Sequence, residues 1–342
     1  MLTTENILVN QNTKTVVITG VLGFIGSHTA KAFKQAGYRV IGIDREWTMK
    51  EGSSFCDMLF IDDFVNISAA VAVKEKADAI IHIAGTSLVG PSLKDPGEYY
   101  RNNVAKTNQM LDDLALTGWR GNIVFSSSAA TYGNDCAVPI KETDVGIPVS
   151  PYGYSKKMCE TVIADHVRAY GHRGVALRYF NAAGCDPDGE LGNIWNDSHL
   201  IPRVIQSALE KQPLTIFGND FSTKDGTCVR DYLHVSDIAQ AHLRAVELCD
   251  SLDKTTFRAY NLGIGQGFSN LEITRTVEEV TGLKLNSTFG PRRLGDPDKL
   301  IADPSNFIND TGWTPKFSNL EILVKTTHIW MKELYETQTT SV

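Results

Sequence analysis

Between an apolar run, Thr15-Val16-Val17-Ile18-Thr19, and a helix-length stretch ending near Ala36, the chain reads Gly20-Val21-Leu22-Gly23-Phe24-Ile25-Gly26. Glycines at this spacing let the backbone turn sharply and approach a pyrophosphate, and the following helix N-terminus offers free N–H groups at the positive end of its dipole. Taken alone, they would serve equally well as a tight strand–helix turn. Asp44 sharpens the choice, because it lies 18 residues after Gly26 at the end of the next apolar strand, Arg39 to Asp44. A carboxylate there accepts hydrogen bonds from both hydroxyls of an adenosine ribose and repels a 2′-phosphate. The reading is a dinucleotide site that favours NAD over NADP, with the neighbouring Arg45 weakening the exclusion.

Further apolar strands are expected at Met58 to Ile61, Ala79 to Ile83, Asn122 to Ser126 and Val175 to Tyr179. Helices alternate with them, most clearly over Glu98 to Leu116 and Tyr152 to Tyr170. Such alternation argues for a parallel sheet covered on both faces. Beyond Asn181 the pattern changes. Ala182 to Ser198, rich in Gly, Asp and Asn, reads as a long functional loop. Shorter mixed elements follow, with capping boxes expected at Ser269-x-x-Glu272 and Ser318-x-x-Glu321, and only Thr337 to Val342 is expected to fray. The expected fold class is α/β: a Rossmann-like doubly wound parallel sheet with a smaller C-terminal substrate-binding lobe. Residues 1–180 would bind the dinucleotide, and 181–342 would mainly bind the second ligand, with some segments returning to the first domain.

Composition narrows the function classes. Of 342 residues 42% are hydrophobic and 21% charged, which suits a large core. A net charge of −7 and a pI near 5.6, with no Lys/Arg block, argue against nucleic acid as a partner. No apolar run reaches membrane-spanning length, and Met1-Leu2-Thr3-Thr4-Glu5-Asn6 lacks the basic and apolar regions of a signal peptide. The six cysteines include no Cys-x-x-Cys pair and the eight histidines show no ligand spacing. Neither a disulfide framework nor a metal is expected, and a reducing cytoplasm is the simplest setting.

Tyr152 and Lys156, in Ser150-Pro151-Tyr152-Gly153-Tyr154-Ser155-Lys156, are spaced to share one helix face. There the ammonium can favour the phenolate, whose ordinary pKa of about 10 makes tyrosine a poor base at neutral pH. Such pairs also arise by accident on helix surfaces. Phe125-Ser126-Ser127-Ser128-Ala129-Ala130-Thr131-Tyr132-Gly133 follows the strand at Asn122 to Ser126, and open α/β sheets bind ligands at the carboxyl ends of strands. Ser128 would then face the cofactor cleft, where a hydroxyl beside a phenolate can bind a substrate oxygen and relay its proton. Without Tyr152 nearby, the serines would merely cap a strand end.

These residues together resemble the extended short-chain dehydrogenase/reductase family, most closely its UDP-glucose (UDP-galactose) 4-epimerases. The resemblance runs from Thr19 to about Trp330. It includes His82-Ile83-Ala84-Gly85, Tyr99-Tyr100-Arg101-Asn102-Asn103-Val104, Arg178-Tyr179-Phe180-Asn181 and His199-Leu200-Ile201-Pro202. Later matches are Ile216 to Asp220, Val229 to Val235, Tyr260 to Gly263 and Pro291 to Asp296. It implies Tyr152 as catalytic base, Ser128 as proton relay and substrate contact, and Lys156 as tuner and nicotinamide-ribose ligand. Gly20, Gly23, Phe24, Ile25, Gly26, Asp44, Asp63, Asn103, Tyr152, Lys156 and Tyr179 would contact NAD. Asn181, His199, Leu200, Phe217, Arg230, Arg293 and Asp296 would meet the UDP-sugar, the arginines as planar forks on the diphosphate. The implied reaction is a redox-neutral inversion at C4 of a UDP-hexose through a 4-keto sugar. A homodimer is also implied, built on the helices Glu98 to Leu116 and Tyr152 to Tyr170, although Leu111, Leu114, Val162 and Val167 would suit sheet-facing core equally well.

Ala129 and Ala130 stand where related 4,6-dehydratases and decarboxylases place acidic residues, which favours epimerisation. A non-catalytic NAD-binding regulator could dispense with Ser128, Tyr152 and Lys156 as a set. Four positions depart from the epimerase pattern. Ser87 stands where Lys is common, His199 replaces an Asn of some members, and the segment Arg45 to Leu59 is short. Leu300, intermediate in size, falls where side-chain bulk is associated with admitting an N-acetyl group. UDP-N-acetylhexosamine, UDP-uronate and UDP-pentose therefore stay open as alternative substrates.

Overall fold

Every residue of the inner strand β1 (Thr15–Thr19) is buried, because it has parallel neighbours on both edges and helices on both faces. A computed structural model describes residues 13–48, 50–193, 199–293 and 295–340 of the chain. The leader Met1 to Asn6, Met49 of the short segment, loop residues 194–198, Leu294 and the last two residues lie outside these. After β1 come α1 (Phe24–Gln35), β2 (Arg39–Asp44), β3 (Met58–Ile61), α2 (Phe64–Lys74), β4 (Ala79–His82), the one-turn helices α3 (Val89–Ser92) and α4 (Pro96–Tyr99), α5 (Lys106–Thr117), β5 (Asn122–Ser128), α6 (Pro151–Tyr170) and β6 (Arg173–Tyr179). The second half holds β7 (Asn181–Ala183), α7 (Leu200–Leu209), β8 (Leu214–Phe217), β9 (Val229–Arg230), β10 (Tyr232–His234), α8 (Val235–Ser251), β11 (Phe257–Leu262), β12 (Phe268–Ser269), α9 (Asn270–Thr281), β13 (Ser287–Gly290), β14 (Lys299–Leu300), α10 (Ser305–Thr311) and α11 (Leu320–Thr340).

Seven strands form one parallel sheet in the order β11-β6-β5-β4-β1-β2-β3. Strand direction of travel reverses between β1 and β4, which opens a crevice at their carboxyl ends. Alternate residues serve alternate faces. Val16 and Ile18 share a core with Phe33 of α1 and Ile238 and Val246 of α8, whereas Val17 meets Leu114 of α5 and Ile163 of α6. The smaller lobe has its own core, in which Val204, Ile216, Ile273, Val277 and Leu323 meet. Its strands form sheets of only two or three. The chain does not divide cleanly at Asn181, since α8 and β11 return to the large sheet.

Several elements differ from expectation for identifiable reasons. The helix expected over Glu98 to Leu116 is broken by a π-helical turn over Tyr100–Ala105, between α4 and α5. A π turn re-aims the side chains it carries, here bringing Asn103 to the cleft. Leu111, Leu114 and Val167 are sheet-facing core, with Val162 partly buried against them. The Ser269 capping box forms, but the Ser318 one does not. Ser318 is buried, accepting the His234 N–H at 2.8 Å and donating to Asp237 at 2.5 Å, while Asn319 caps α11 by accepting the Ile322 N–H at 2.8 Å. α11 also continues to Thr340, past the point at which fraying was expected. The expected loop after Asn181 begins instead as β7, paired with β10. Its next turn is pinned to α1, where the Lys31 ammonium lies 2.6–2.8 Å from Asp186, Asp188 and Glu190.

Candidate active site

At the end of β1 the backbone itself shapes the site. Gly20 has φ +72°, and a Cβ there would lie 2.7 Å from the Ala84 nitrogen. A Cβ on Gly26 would lie 2.0 Å from the Gly20 carbonyl oxygen. Only glycine permits both approaches. Gly23 begins α1 with no capping side chain among the described residues, so the first N–H groups of the helix, beside half-buried Phe24 and Ile25, are left for a ligand. Asp44 ends β2 across the turn. Its Oδ2 accepts the Leu22 N–H at 2.8 Å, and Oδ1 has a long contact, 3.4 Å, with the Glu46 N–H. Burial raises its carboxyl above the ordinary range, against those backbone bonds. Arg45 is turned outward and pairs with Glu46. A cradle only glycines can line, facing a partly buried carboxylate at the end of β2, fits a dinucleotide.

The other residues assigned to the dinucleotide have partners of their own. Asp63 caps α2 through Val65 at 3.3 Å and pairs with Lys106 at 2.5 Å. The Asn103 amide is held on three sides, accepting the Thr86 N–H at 2.7 Å and donating to the Thr86 carbonyl at 3.0 Å and to Ser155 Oγ at 2.9 Å. The Tyr179 hydroxyl donates to Ser126 Oγ, and burial pushes this phenol up. Behind them Thr19, His82 and Thr107 form a buried chain of 2.8 Å bonds, with burial lowering His82 to about 3.

Ser128, Tyr152 and Lys156 come together at the carboxyl end of β5. Ser128 Oγ accepts the Ala130 N–H at 3.2 Å and stands close enough to the Tyr152 phenol to favour its ionised form. Gly153 makes the meeting possible, since a Cβ there would lie 2.3 Å from the Ala130 carbonyl oxygen. Burial raises Tyr152, and Ser128 works against that. The expected lowering by Lys156 is not seen. The Lys156 ammonium points instead to the Ser126 carbonyl at 2.8 Å and the Phe125 ring centroid at 4.8 Å, and burial brings it down to about 8. Tyr99, not singled out from sequence, stands edge-on to Tyr152 at 6.3 Å and donates to the Ser87 and Leu88 carbonyls at 2.5 and 2.9 Å. Gly153 was also missed, although a glycine inside a helical pattern is itself a sign of close approach.

The residues assigned to the second ligand fall into two groups. Arg230 donates to the Val229 and Pro297 carbonyls at 2.9 Å and to Asp296 at 3.3 Å, and pairs in register with Leu300. The Arg293 guanidinium stacks over the Phe217 ring at 4.4 Å. Asn181 is turned to the Asp231 carbonyl at 3.1 Å. His199 precedes α7, which Leu200 begins. Its Nδ1 is buried without a partner among the described residues, and burial lowers its pKa.

Residues 16–263 match the model of the NAD dependent epimerase/dehydratase family. The chain is 40% identical over 322 residues to a UDP-glucose 4-epimerase of Lacticaseibacillus casei, covering 92% of this chain and 96% of that one. It superimposes with a TM-score of 0.88 on a crystal structure of UDP-glucose 4-epimerase from Brucella ovis in complex with NAD, at 39% identity over 92% of this chain and 98% of that one. The UDP-glucose 4-epimerase of Bifidobacterium longum in complex with NAD+ and UDP gives a TM-score of 0.85 at 32% identity, covering 94% and 98%.

Proposed function

The chain belongs to the NAD dependent epimerase/dehydratase family, and from that premise we propose that it inverts C4 of a UDP-hexose of the UDP-glucose/UDP-galactose type. The observation that carries this reading is the meeting of Ser128 and Tyr152 with buried Lys156, at the strand end beside the crevice. NAD, held by Gly20, Gly23, Phe24, Ile25, Gly26 and Asp44 with Asp63, Asn103 and Tyr179 around it, supplies the hydride acceptor and donor that make the reaction redox-neutral. Tyr152 takes the proton of the 4-hydroxyl, with Ser128 bridging to the sugar oxygen. After the 4-keto sugar has turned to present its other face, Tyr152 returns that proton to the oxygen. Arg293 and Arg230 hold the diphosphate meanwhile, and His199, Leu200, Phe217, Asn181 and Asp296 enclose the nucleotide. Ala129 and Ala130 leave the sugar without an acid for elimination, so oxidation ends in inversion.

Residues 1–180 mainly bind NAD in this reading, and 181–342 mainly bind the UDP-sugar. The working unit is a homodimer in the cytoplasm. Support for the dimer lies outside the buried helix positions: Val89 of α3, Leu93 at its end, and Tyr154 and Met158 of α6, which packs beside α3, are 38–62% exposed. A second copy would cover this apolar face. No described helix is long and apolar enough to cross a membrane.

The test is incubation of purified protein with UDP-galactose, UDP-glucose and their N-acetylated, uronate and pentose counterparts, with products separated by chromatography. Interconversion of the two plain hexoses is expected, and inertness toward every UDP-sugar refutes the reading. Tyr152→Phe should retain NAD and UDP-sugar binding while turnover falls by roughly 10²-fold or more.

A further inference from the structure

Glu160 follows Tyr152 and Lys156 on one face of α6, yet is only 6% exposed. A buried carboxylate is costly unless paired. Arg178 of β6 meets it with a bidentate fork, Nε to Oε1 at 2.9 Å and Nη2 to Oε2 at 2.6 Å. Ser127, the residue before Ser128, donates to Oε1 at 2.5 Å. The remaining fork nitrogen, Nη1, donates to the Tyr132 hydroxyl at 2.6 Å, which donates to Asn261 of β11 at 2.8 Å. One chain of bonds therefore ties β5, α6, β6 and β11 together behind the reacting groups.

We propose that Glu160 and Arg178 are a positioning pair, which holds the Ser128 end of β5 in fixed register with the Tyr152 face of α6. The inference rests on the epimerase reading. Stability alone is a poor account of the pair, because well-packed apolar residues of similar volume often serve as well as a buried ion pair. A bidentate fork fixes angle as well as distance. The relay needs both, since Ser128 and Tyr152 sit on different elements.

The electrostatics supply a signature. Groups facing the Lys156 ammonium are His82 from β4, which burial keeps neutral, and Cys159 and Glu160 from its own helix. Burial holds the Cys159 thiol up at about 11, so Glu160 is the anion of this set, with Arg178 behind it as counter-charge. Neutralising Glu160 should let Lys156 lose its proton at lower pH. Removing the Arg178 charge should keep Lys156 protonated to higher pH.

The test uses NAD-loaded wild type, Glu160→Gln, Arg178→Met and Ser127→Ala, with kcat, KM for UDP-galactose and the pH profile of kcat/KM measured for each. In Glu160→Gln and Arg178→Met, kcat should fall on the order of 10- to 100-fold with KM within about threefold of wild type. The alkaline limb should move down in Glu160→Gln and up in Arg178→Met. Ser127→Ala, which keeps the ion pair, should lower kcat several-fold. If Arg178→Met does not fold, Arg178→Lys keeps the charge without the fork and should lower kcat while leaving the limb in place. Limbs that stay put or move together in the two charge variants, or a wild-type kcat in Ser127→Ala, overturn the proposal. A wild-type protein inert toward every UDP-sugar refutes the epimerase reading instead.

Discussion

The two walls of the cleft are built by different means. On the side of the large sheet, position is set by backbone pressed on backbone, at Gly20 and Gly26 after β1 and at Gly153 of α6. On the opposite side, side chains position one another across sheets of two or three strands: Arg230 on Asp296, Arg293 on Phe217. A wall of backbone tolerates no added atom but holds its shape without a ligand. A wall of paired side chains can be altered one residue at a time, with graded loss, and is where a change of substrate can occur without loss of the cofactor.

Substitutions can break or sharpen that contrast. The largest effect is expected for Gly26→Ala, whose Cβ would lie 2.0 Å from the Gly20 carbonyl oxygen. It should destabilise the protein by about 3 kcal/mol or more and abolish NAD retention, read from the denaturant midpoint and bound-nucleotide absorbance. Normal NAD content in that variant would break the comparison. Next is a pH effect at Lys156, held at about 8 against an ordinary 10.5. The unfolded chain binds this proton more tightly, so the residue's contribution to stability rises as pH climbs from about 8 to 10.5. Measured against Lys156→Met, wild type should gain on the order of 3 kcal/mol across that window, with no such trend below it. Arg293→Ala should raise KM for the UDP-sugar about tenfold and leave NAD content unchanged, which calorimetry and the same absorbance would resolve. The smallest effect is at the α11 cap. Asn319→Ala should cost about 1 kcal/mol in thermal unfolding, a loss confined to the substrate lobe.

What could be read from the sequence was whatever short-range rules determine. The glycine turn, Asp44 and six of the seven strands of the large sheet follow from spacing and apolar runs, and the structure shifts the ends of those six by no more than two residues, whereas β11 is not among the expected strands. The meeting of Tyr152 with Ser128 was legible because strand ends and helix faces are local properties. The direction of the Lys156 side chain was not, since it depends on the Ser126 carbonyl of β5. Likewise Ser318 looked like a cap until Asp237, from α8, claimed its hydroxyl. The π turn at Tyr100–Ala105 breaks a pattern that reads as continuous helix, because nothing in local propensity marks one extra residue. Glu160 and Arg178 read as ordinary charged positions until the sheet brings them together.

The late arrival of β11 bears on how the polypeptide is made. The strand that shields the outer edge of β6 comes from Phe257–Leu262, after β7, α7, β8, β9 and β10 of the small lobe. A nascent chain that has emerged only as far as β6 offers an unpaired edge flanked by Val175, Ala176 and Leu177, residues with no exposed surface in the finished fold. Such an edge is a template for association with other chains. Residues 1–180 expressed alone should therefore collect in the insoluble fraction, and the full chain should need its C-terminal half synthesised before it escapes chaperone binding.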